Sequence, residues 1–227
     1  RQRQMCIRDR MGGNRVVTPK QTFPLRTQWY EWAERPRQLL ELKEQGRLIP
    51  FLQPIVYLHD HKVLGFELLA RIIENQDVIS AQEFLTTWEA LPPLDQIELD
   101  VYLYRKALGR LHRYPGVCAF LNLSPAFIIL PAQFQRVCQE IVQMGVDPHS
   151  VVFEISERSI LRDIEGLRRM IYAAREYGFR FAVDDFGSGF SSFQYLRVLP
   201  IDFLKIDGSY VVGLHRSLDN RRFLEAF

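Results

Sequence analysis

The stretch FAVDDFGSGFSSFQYLRVLPIDFLKID, residues 181–207, decides how the rest of the chain is read. An apolar, strand-like run ends in two adjacent carboxylates, Asp184 and Asp185, and a glycine-rich loop follows at Gly187, Ser188 and Gly189. After a short helical segment, a second strand carries Lys205 and Asp207 two residues apart, hence on one face. Neighbouring carboxylates at a strand end repel one another, and a divalent cation reverses that repulsion. Taken alone, Asp-Asp-Phe-Gly reads more readily as a solvated turn.

Upstream of this stretch, strands and helices alternate. Residues 36–45 have helical spacing, with Leu39, Leu40 and Leu42 apolar and Gly46 as the stop. Residues 49–58 read as a strand whose Phe51, Gln53, Ile55 and Tyr57 share a face, and His59–Lys62 reads as a turn. The His59/His61 pair has no third ligand nearby, so a solvated turn is preferred to a metal site. In the strand at 62–72, Gly65, Glu67, Leu69 and Arg71 face one way and Leu64, Phe66, Leu68 and Ala70 the other. Apolar residues on both faces imply burial on both, as in a barrel. Glu67 among them needs a cation or a partner, and an ion pair with Arg71 or Lys205 is the plainer alternative to a metal.

Residues 80–114 read as helix interrupted at Leu91-Pro92-Pro93, opened by a Ser80–Glu83 capping box. A strand at 116–124 aligns Phe120, Asn122 and Ser124. A helix at 132–145 precedes a strand at 150–157 that aligns Val152, Glu154 and Ser156. A helix at 164–177 ends at Gly178, and a last helix begins near Leu218. The expectation is therefore an α/β fold of about six strands with a parallel sheet. Glu67, Asn122, Glu154, Asp184 and Lys205 each stand near the C-terminal end of a different strand. A barrel gathers such ends at one mouth, which favours it over an open doubly wound sheet.

Four carboxylates, one amide and one lysine, without His or Cys, suit Mg²⁺ or Mn²⁺ rather than zinc. Two such ions about 3.5–4 Å apart would clamp a phosphodiester and acidify a water between them. A protein-kinase reading of Asp185-Phe186-Gly187 fails, because no His-Arg-Asp catalytic loop precedes it.

The composition, 47% hydrophobic and 25% charged, is that of an ordinary globular chain. No apolar run reaches the ~20 residues of a membrane span, and no secretory signal is visible. Three cysteines (Cys6, Cys118, Cys138) without paired spacing imply a reducing compartment, so the reading is cytoplasmic. Residues 1–10, RQRQMCIRDR, read as the translated end of a sequencing-library adapter. They supply a charge of +3 and leave −1 of the formal +2 to the remainder, so no basic surface for a nucleic-acid polymer is expected. Residues 11–35, with Pro19 and Pro24, read as linker, and 36–227 as the folded domain.

The motifs in residues 181–207, together with Phe66-Glu67-Leu68-Leu69-Ala70-Arg71, resemble the EAL-domain phosphodiesterases of bacterial signalling, from about Leu39 to the C-terminus. Leu68 stands where the eponymous alanine does, on the face turned away from the mouth. The resemblance implies a TIM-like barrel that hydrolyses cyclic di-GMP to linear pGpG with two Mg²⁺ or Mn²⁺ ions. It implies Glu67, Asn122 and Glu154 as ligands of the first metal, Asp184 as a bridge and Asp185 on the second. Lys205 would act on the attacking water, with Asp207 in support, and Gln53 and Arg71 would contact substrate. Glu157 would hold the loop after Asp185, in which Ser188 replaces the common threonine. A homodimer and an upstream sensory or output domain, tethered to a membrane or not, are compatible with the family. A degenerate receptor or interaction module without turnover is the alternative, although every ligand position within the span is filled. A metal-free scaffold would leave Asp184 and Asp185 unexplained.

The family has two further strands, carrying a metal-binding Glu and a substrate-side Gln. The resemblance therefore implies an active parent and a 227-residue piece, six strands of eight, that does not turn over. Unpaired sheet edges expose backbone donors and apolar surface. Residues 11–227 are thus expected to bind a dye for exposed apolar surface. A monomer with a sharp melt and measurable hydrolysis would overturn this.

Overall fold

The computed structural model describes residues 36–75, 77–111, 113–187, 195–212 and 214–225, so the readings of residues 1–10 and 11–35 and of Ser188-Gly189 lie outside the described residues. A first helix, α1 (Gln38–Glu44), precedes strands β1 (Leu48–Val56), β2 (Val63–Glu74) and β3 (Asp77–Ser80). Helices α2 (Ala81–Glu89) and α3 (Pro93–Leu111) follow, then β4 (Cys118–Asn122), α4 (Ala126–Ile129) and α5 (Pro131–Gln143). The chain continues through β5 (Val151–Ser156), α6 (Glu157–Arg162), α7 (Ile164–Arg175), β6 (Arg180–Phe186) and β7 (Phe203–Ile206). Two short helices, α8 (Gly208–Val211) and α9 (Leu218–Glu225), fall in a compact unit separate from residues 32–207. Within it, the Asn220 amide donates to the Ser209 carbonyl at 3.2 Å.

The sheet runs β1-β2-β4-β5-β6-β7, with β3 paired to β2, and every junction from β2 to β7 along this path is parallel. This is the TIM-like barrel arrangement, left open among the described residues. The six expected strands form this path, and a seventh is added where Asp77–Ser80 folds back on β2 from Arg71 to Glu74. One expectation is corrected: β1 is antiparallel to β2, not parallel. The four residues His59–Lys62 leave no room for a crossover helix, and a connection that short joins only antiparallel strands. The turn is closed by Tyr57 N–H to the Lys62 carbonyl at 2.9 Å and contains His61 at φ 58°.

Helix formation follows the apolar spacing. α5 buries Phe134, Val137, Cys138 and Ile141, and α7 buries Leu167, Met170, Ile171 and Ala174, each at i, i+3, i+4 and i+7. Pro131 opens α5, and the Asp163 side chain caps α7 by accepting from Gly166 N–H at 2.8 Å. The expected capping box is present at α2, where Ser80 N–H donates to the Glu83 carboxylate at 2.9 Å. These faces meet the outer side of the sheet in an aromatic layer. Phe153 of β5 packs against Phe134, Phe179 and Phe181 with centroids 5.0–5.8 Å apart. Each such fully buried ring contributes about 1.5–3 kcal/mol relative to exposure.

The inner side is thinner and sets the stage for the site. Cys118 and Phe120 of β4, Val152 of β5 and Ala182 of β6 form an apolar floor, with Ile55 and Phe203 against it. Strand alternation then places the next inward residues one layer up: Asn122, Glu154, Asp184 and Lys205. Gly65 belongs to the same inner layer of β2, beside Cys118. A Cβ there would lie 2.4 Å from the Cys118 carbonyl oxygen and 2.9 Å from the Phe120 ring, so the β2–β4 approach excludes any side chain. Gly65→Ala is therefore expected to destabilise the fold by about 1–3 kcal/mol, read as a lowered denaturant midpoint. An unchanged midpoint would show that the two strands can separate without cost.

Candidate metal centre

Glu67, Glu154 and Asp184 arrive from β2, β5 and β6, each two residues beyond an inward-facing residue of the floor, and their carboxylates offer oxygens within 4.8 Å of one another. Lys205 of β7 reaches into this group. Its Nζ lies 2.7 Å from Glu154 Oε1 and 3.2 Å from both Glu67 Oε1 and Asp184 Oδ1. The ion pair between Glu67 and Lys205 read as an alternative in the sequence is thus real, and it is part of a larger cluster.

Glu154 is the most deeply placed member, with a fully buried side chain. Among the described residues its Oε2 has no hydrogen-bond donor, a costly condition for a buried carboxylate. Burial pushes its carboxyl up to about 8, and the neighbouring Glu67 and Asp184 charges add to the push against the pull of the ammonium. Burial also opposes the Lys205 charge, but Glu154, Asp184 and Glu67 together hold it protonated above the usual lysine range. Three carboxylates facing one ammonium leave the cluster net negative once all are ionised. A buried oxygen without a donor, beside hard oxygen ligands, fits a divalent cation such as Mg²⁺ or Mn²⁺.

The remaining residues read from the sequence divide into those near this cluster and those placed beside it. Asn122 ends β4 in register with Glu154, and its Nδ2 donates to the Leu68 carbonyl at 3.2 Å. That hydrogen bond leaves Oδ1 as the amide atom available to a cation. Gln53 sits directly opposite Glu67 in the β1–β2 ladder. Arg71 lies farther along β2, its Nη1 donating to the Ala70 carbonyl at 2.8 Å and its guanidinium 5.8 Å from the Phe51 ring centroid. Asp185 is not among the clustered carboxylates of the described residues. It occupies the left-handed region at φ 53°, where β6 carries one residue more than β7 between the Val183–Leu204 and Phe186–Ile206 pairs. This bulge breaks strict alternation, so Asp184 and Asp185 are not simply opposed across the sheet. Asp207 follows β7, with its N–H donating to the Phe186 carbonyl at 3.0 Å. Glu157 is buried at the start of α6 and accepts from the Tyr195 hydroxyl at 3.2 Å.

Sequence reasoning passed over two features around these residues. Tyr195 is fully buried against Phe186 and fastens the chain just beyond residues 188–194 to Glu157. The other is a polar stripe inside α3, at Gln96, Asp100 and Tyr104, all buried. Their i, i+4, i+8 spacing on an otherwise apolar face was the signal that could have found them.

Known proteins match this chain in the same terms. The EAL domain profile matches residues 36–227. The Shewanella oneidensis protein named cyclic di-GMP phosphodiesterase PdeB is 30% identical over 190 residues, covering 81% of this chain and 22% of its own length. The Bacillus subtilis EAL-domain protein YkuI is 31% identical over 163 residues, 70% of this chain and 40% of its own. The chain thus spans between a fifth and two fifths of these relatives. A crystal structure of YkuI with cyclic di-GMP and calcium superimposes with a TM-score of 0.66 at 28% identity, covering 79% of this chain and 48% of that one. The PaMucR phosphodiesterase in complex with cyclic di-GMP shares the fold at a TM-score of 0.75 and 23% identity, over 86% of this chain and 80% of its own. Among the described residues no helix is long and apolar enough to cross a membrane. With its profile match running from the first described helix to the last residue, the chain belongs to the EAL domain family.

Proposed function

We propose that this chain carries the site of a metal-dependent phosphodiesterase that hydrolyses cyclic di-GMP to linear pGpG. The observation that carries the reading is the meeting of Glu67, Glu154 and Asp184 around a buried carboxylate oxygen that lacks a donor among the described residues. Relatives named as cyclic di-GMP phosphodiesterases and a related structure holding that nucleotide with calcium support the substrate and the need for a divalent ion.

Glu67, Glu154, Asp184 and the amide oxygen of Asn122 would hold a first Mg²⁺ or Mn²⁺, with Asp184 and Asp185 toward a second. Bound ions of this kind supply an acidified water and a positive field over the phosphodiester. Lys205 already stands within 3.2 Å of three of the carboxylates, so its ammonium can orient a water at their rim and donate a hydrogen bond to it. Gln53, across the ladder from Glu67, and Arg71, a forked donor four residues farther along β2, would meet the nucleotide's polar edge and phosphate. Glu157, through Tyr195, would steady the segment that follows Asp185, and Asp207 would close the end of β7 beside Phe186. Binding without turnover is a second reading with its own support. Lys205 neutralises part of the cluster unaided, so the fold has a cation in place without metal. The same mouth would then serve as a cyclic di-GMP receptor.

Asp184→Asn in the intact protein is expected to abolish turnover. Mg²⁺ or Mn²⁺ should restore a chelator-treated wild type and leave the variant inactive, as read by chromatography of the dinucleotide product. Because a cation must displace the proton held on Glu154, metal affinity should rise with pH up to about 8 and then level. Turnover by the variant, or by chelated protein, would sink the metal-dependent reading, whereas binding of cyclic di-GMP without turnover by metal-replete wild type would leave the receptor.

Lys205 and Glu67 should separate in their effects. Lys205→Met should lower kcat by about 10²-fold or more with a small change in substrate Kd, since its part belongs to the hydrolytic step. Glu67→Ala should instead weaken Mn²⁺ and nucleotide binding together. Equal losses of affinity in both, with turnover per bound substrate unchanged, would contradict the division of roles.

A further inference from the structure

Gln96, Asp100 and Tyr104 are an uncommon expense on a buried helix face. The rest of that face is Ile97, Leu99, Leu103, Ala107, Leu108 and Leu111, all buried and apolar. A buried polar group without a good partner costs about 1–3 kcal/mol. All three nevertheless turn to the same place, the segment Asn122–Ser124 that ends β4. The Tyr104 hydroxyl donates to the Asn122 carbonyl. The Asp100 carboxyl faces the Ser124 backbone N–H, which opposes the upward push of burial on it, and its Oδ2 has no hydrogen-bond partner among the described residues. The Ser124 hydroxyl donates to Gln96 Oε1 at 2.9 Å, while Gln96 Nε2 is anchored on the Leu91 carbonyl at 2.8 Å.

From the opposite side the same segment is tied to two strands that carry clustered carboxylates. Leu123 N–H donates to the Glu154 carbonyl at 2.8 Å, and Asn122 Nδ2 donates to the carbonyl of Leu68, next to Glu67. Asn122 is thus fixed in two senses. Its backbone is pinned from beneath by α3, and its amide orientation is set by β2. Nothing in the packing of an apolar helix requires this, since leucines would fill the same face. The bonds converge where a neutral oxygen donor has to be held against a site of charged ones.

We propose that Gln96, Asp100 and Tyr104 are positioning residues. They hold the end of β4 so that Asn122 keeps its amide oxygen toward the divalent cation, which sets metal affinity rather than substrate recognition. The inference rests on the metal-dependent reading above and adds to it a set of residues that touch neither metal nor nucleotide. Outer groups of this kind typically change metal affinity by 10–100-fold when removed.

The test is Mn²⁺ binding to the full chain without nucleotide, followed by electron paramagnetic resonance, with wild type and Glu154→Gln as references. Tyr104→Phe keeps the ring and removes the hydroxyl, and it should raise the Mn²⁺ Kd about tenfold while the metal-free melting curve holds its shape. Asp100→Leu should behave likewise, and Asp100→Asn, which keeps an acceptor for Ser124 N–H, should return affinity to within about threefold of wild type. Should Tyr104→Phe fail to fold, the Asp100 pair carries the comparison. Wild-type Mn²⁺ affinity in Tyr104→Phe and Asp100→Leu, with binding lost in Glu154→Gln, would overturn the positioning role alone. No Mn²⁺ binding by folded wild type would overturn the metal reading itself, and this inference with it.

Discussion

A carboxylate with no donor on one of its oxygens among the described residues, buried completely at the top of an apolar floor, is the constraint around which this sheet is arranged. Glu154 cannot be there alone. Desolvation of a lone anion is far more costly than any one packing contact can offset, so the group must take up a proton or meet a cation. Lys205 supplies a cation from the neighbouring strand but one, and Glu67 and Asp184 then hold that ammonium in a charged state it would otherwise resist. Each of the four depends on the others. The cluster is less a source of stability than a condition imposed on it, since a well-packed apolar substitute would fold at least as firmly. Retaining four ionisable groups in such a place is explained by chemistry, not by the core.

Much of this was legible in the sequence because strands repeat with period two. The apolar floor and the polar layer above it are offset by two residues, and that offset can be counted from Phe120 to Asn122, Val152 to Glu154, Ala182 to Asp184 and Phe203 to Lys205. Helix α7 was legible from its spacing, and α2 from its capping box. What could not be read is pairing that the backbone makes without help from side-chain pattern. β3, only four residues long and half exposed, has no alternation to reveal it and exists through its ladder with β2. The direction of β1 was in fact written in the four-residue turn before β2, but the alternation of strand and helix elsewhere in the chain argued for a parallel neighbour. Asp185 is a third kind of case. A two-residue repeat cannot foretell a bulge, and the extra residue in β6 changes where the second carboxylate of the pair stands.

The polar stripe of α3 escaped for another reason. Read along the chain, Gln96, Asp100 and Tyr104 look like the ordinary hydrophilic positions of an amphipathic helix. Their i, i+4, i+8 spacing puts them on one face, but that this face is the buried one shows only in the assembled fold. Their partners at Asn122 and Ser124 lie 18 to 28 residues downstream, on another element.

The antiparallel run of β1 has a geometric result of its own. Leu48 pairs with Ile72, near the end of β2, so the polypeptide enters the sheet level with the rim and only then descends toward Ile55 and the floor. In a barrel whose first strand runs parallel, the chain enters at the far end and the rim is insulated from it by the length of a strand. Here the approach is short. Arg47, the residue just ahead of β1, is fastened to the Ile73 carbonyl at 3.0 Å and to Glu74 at 2.9 Å, and Gln53 lies six residues later beside Glu67. Mechanical displacement of α1 would reach that rung before it reached any part of the aromatic layer.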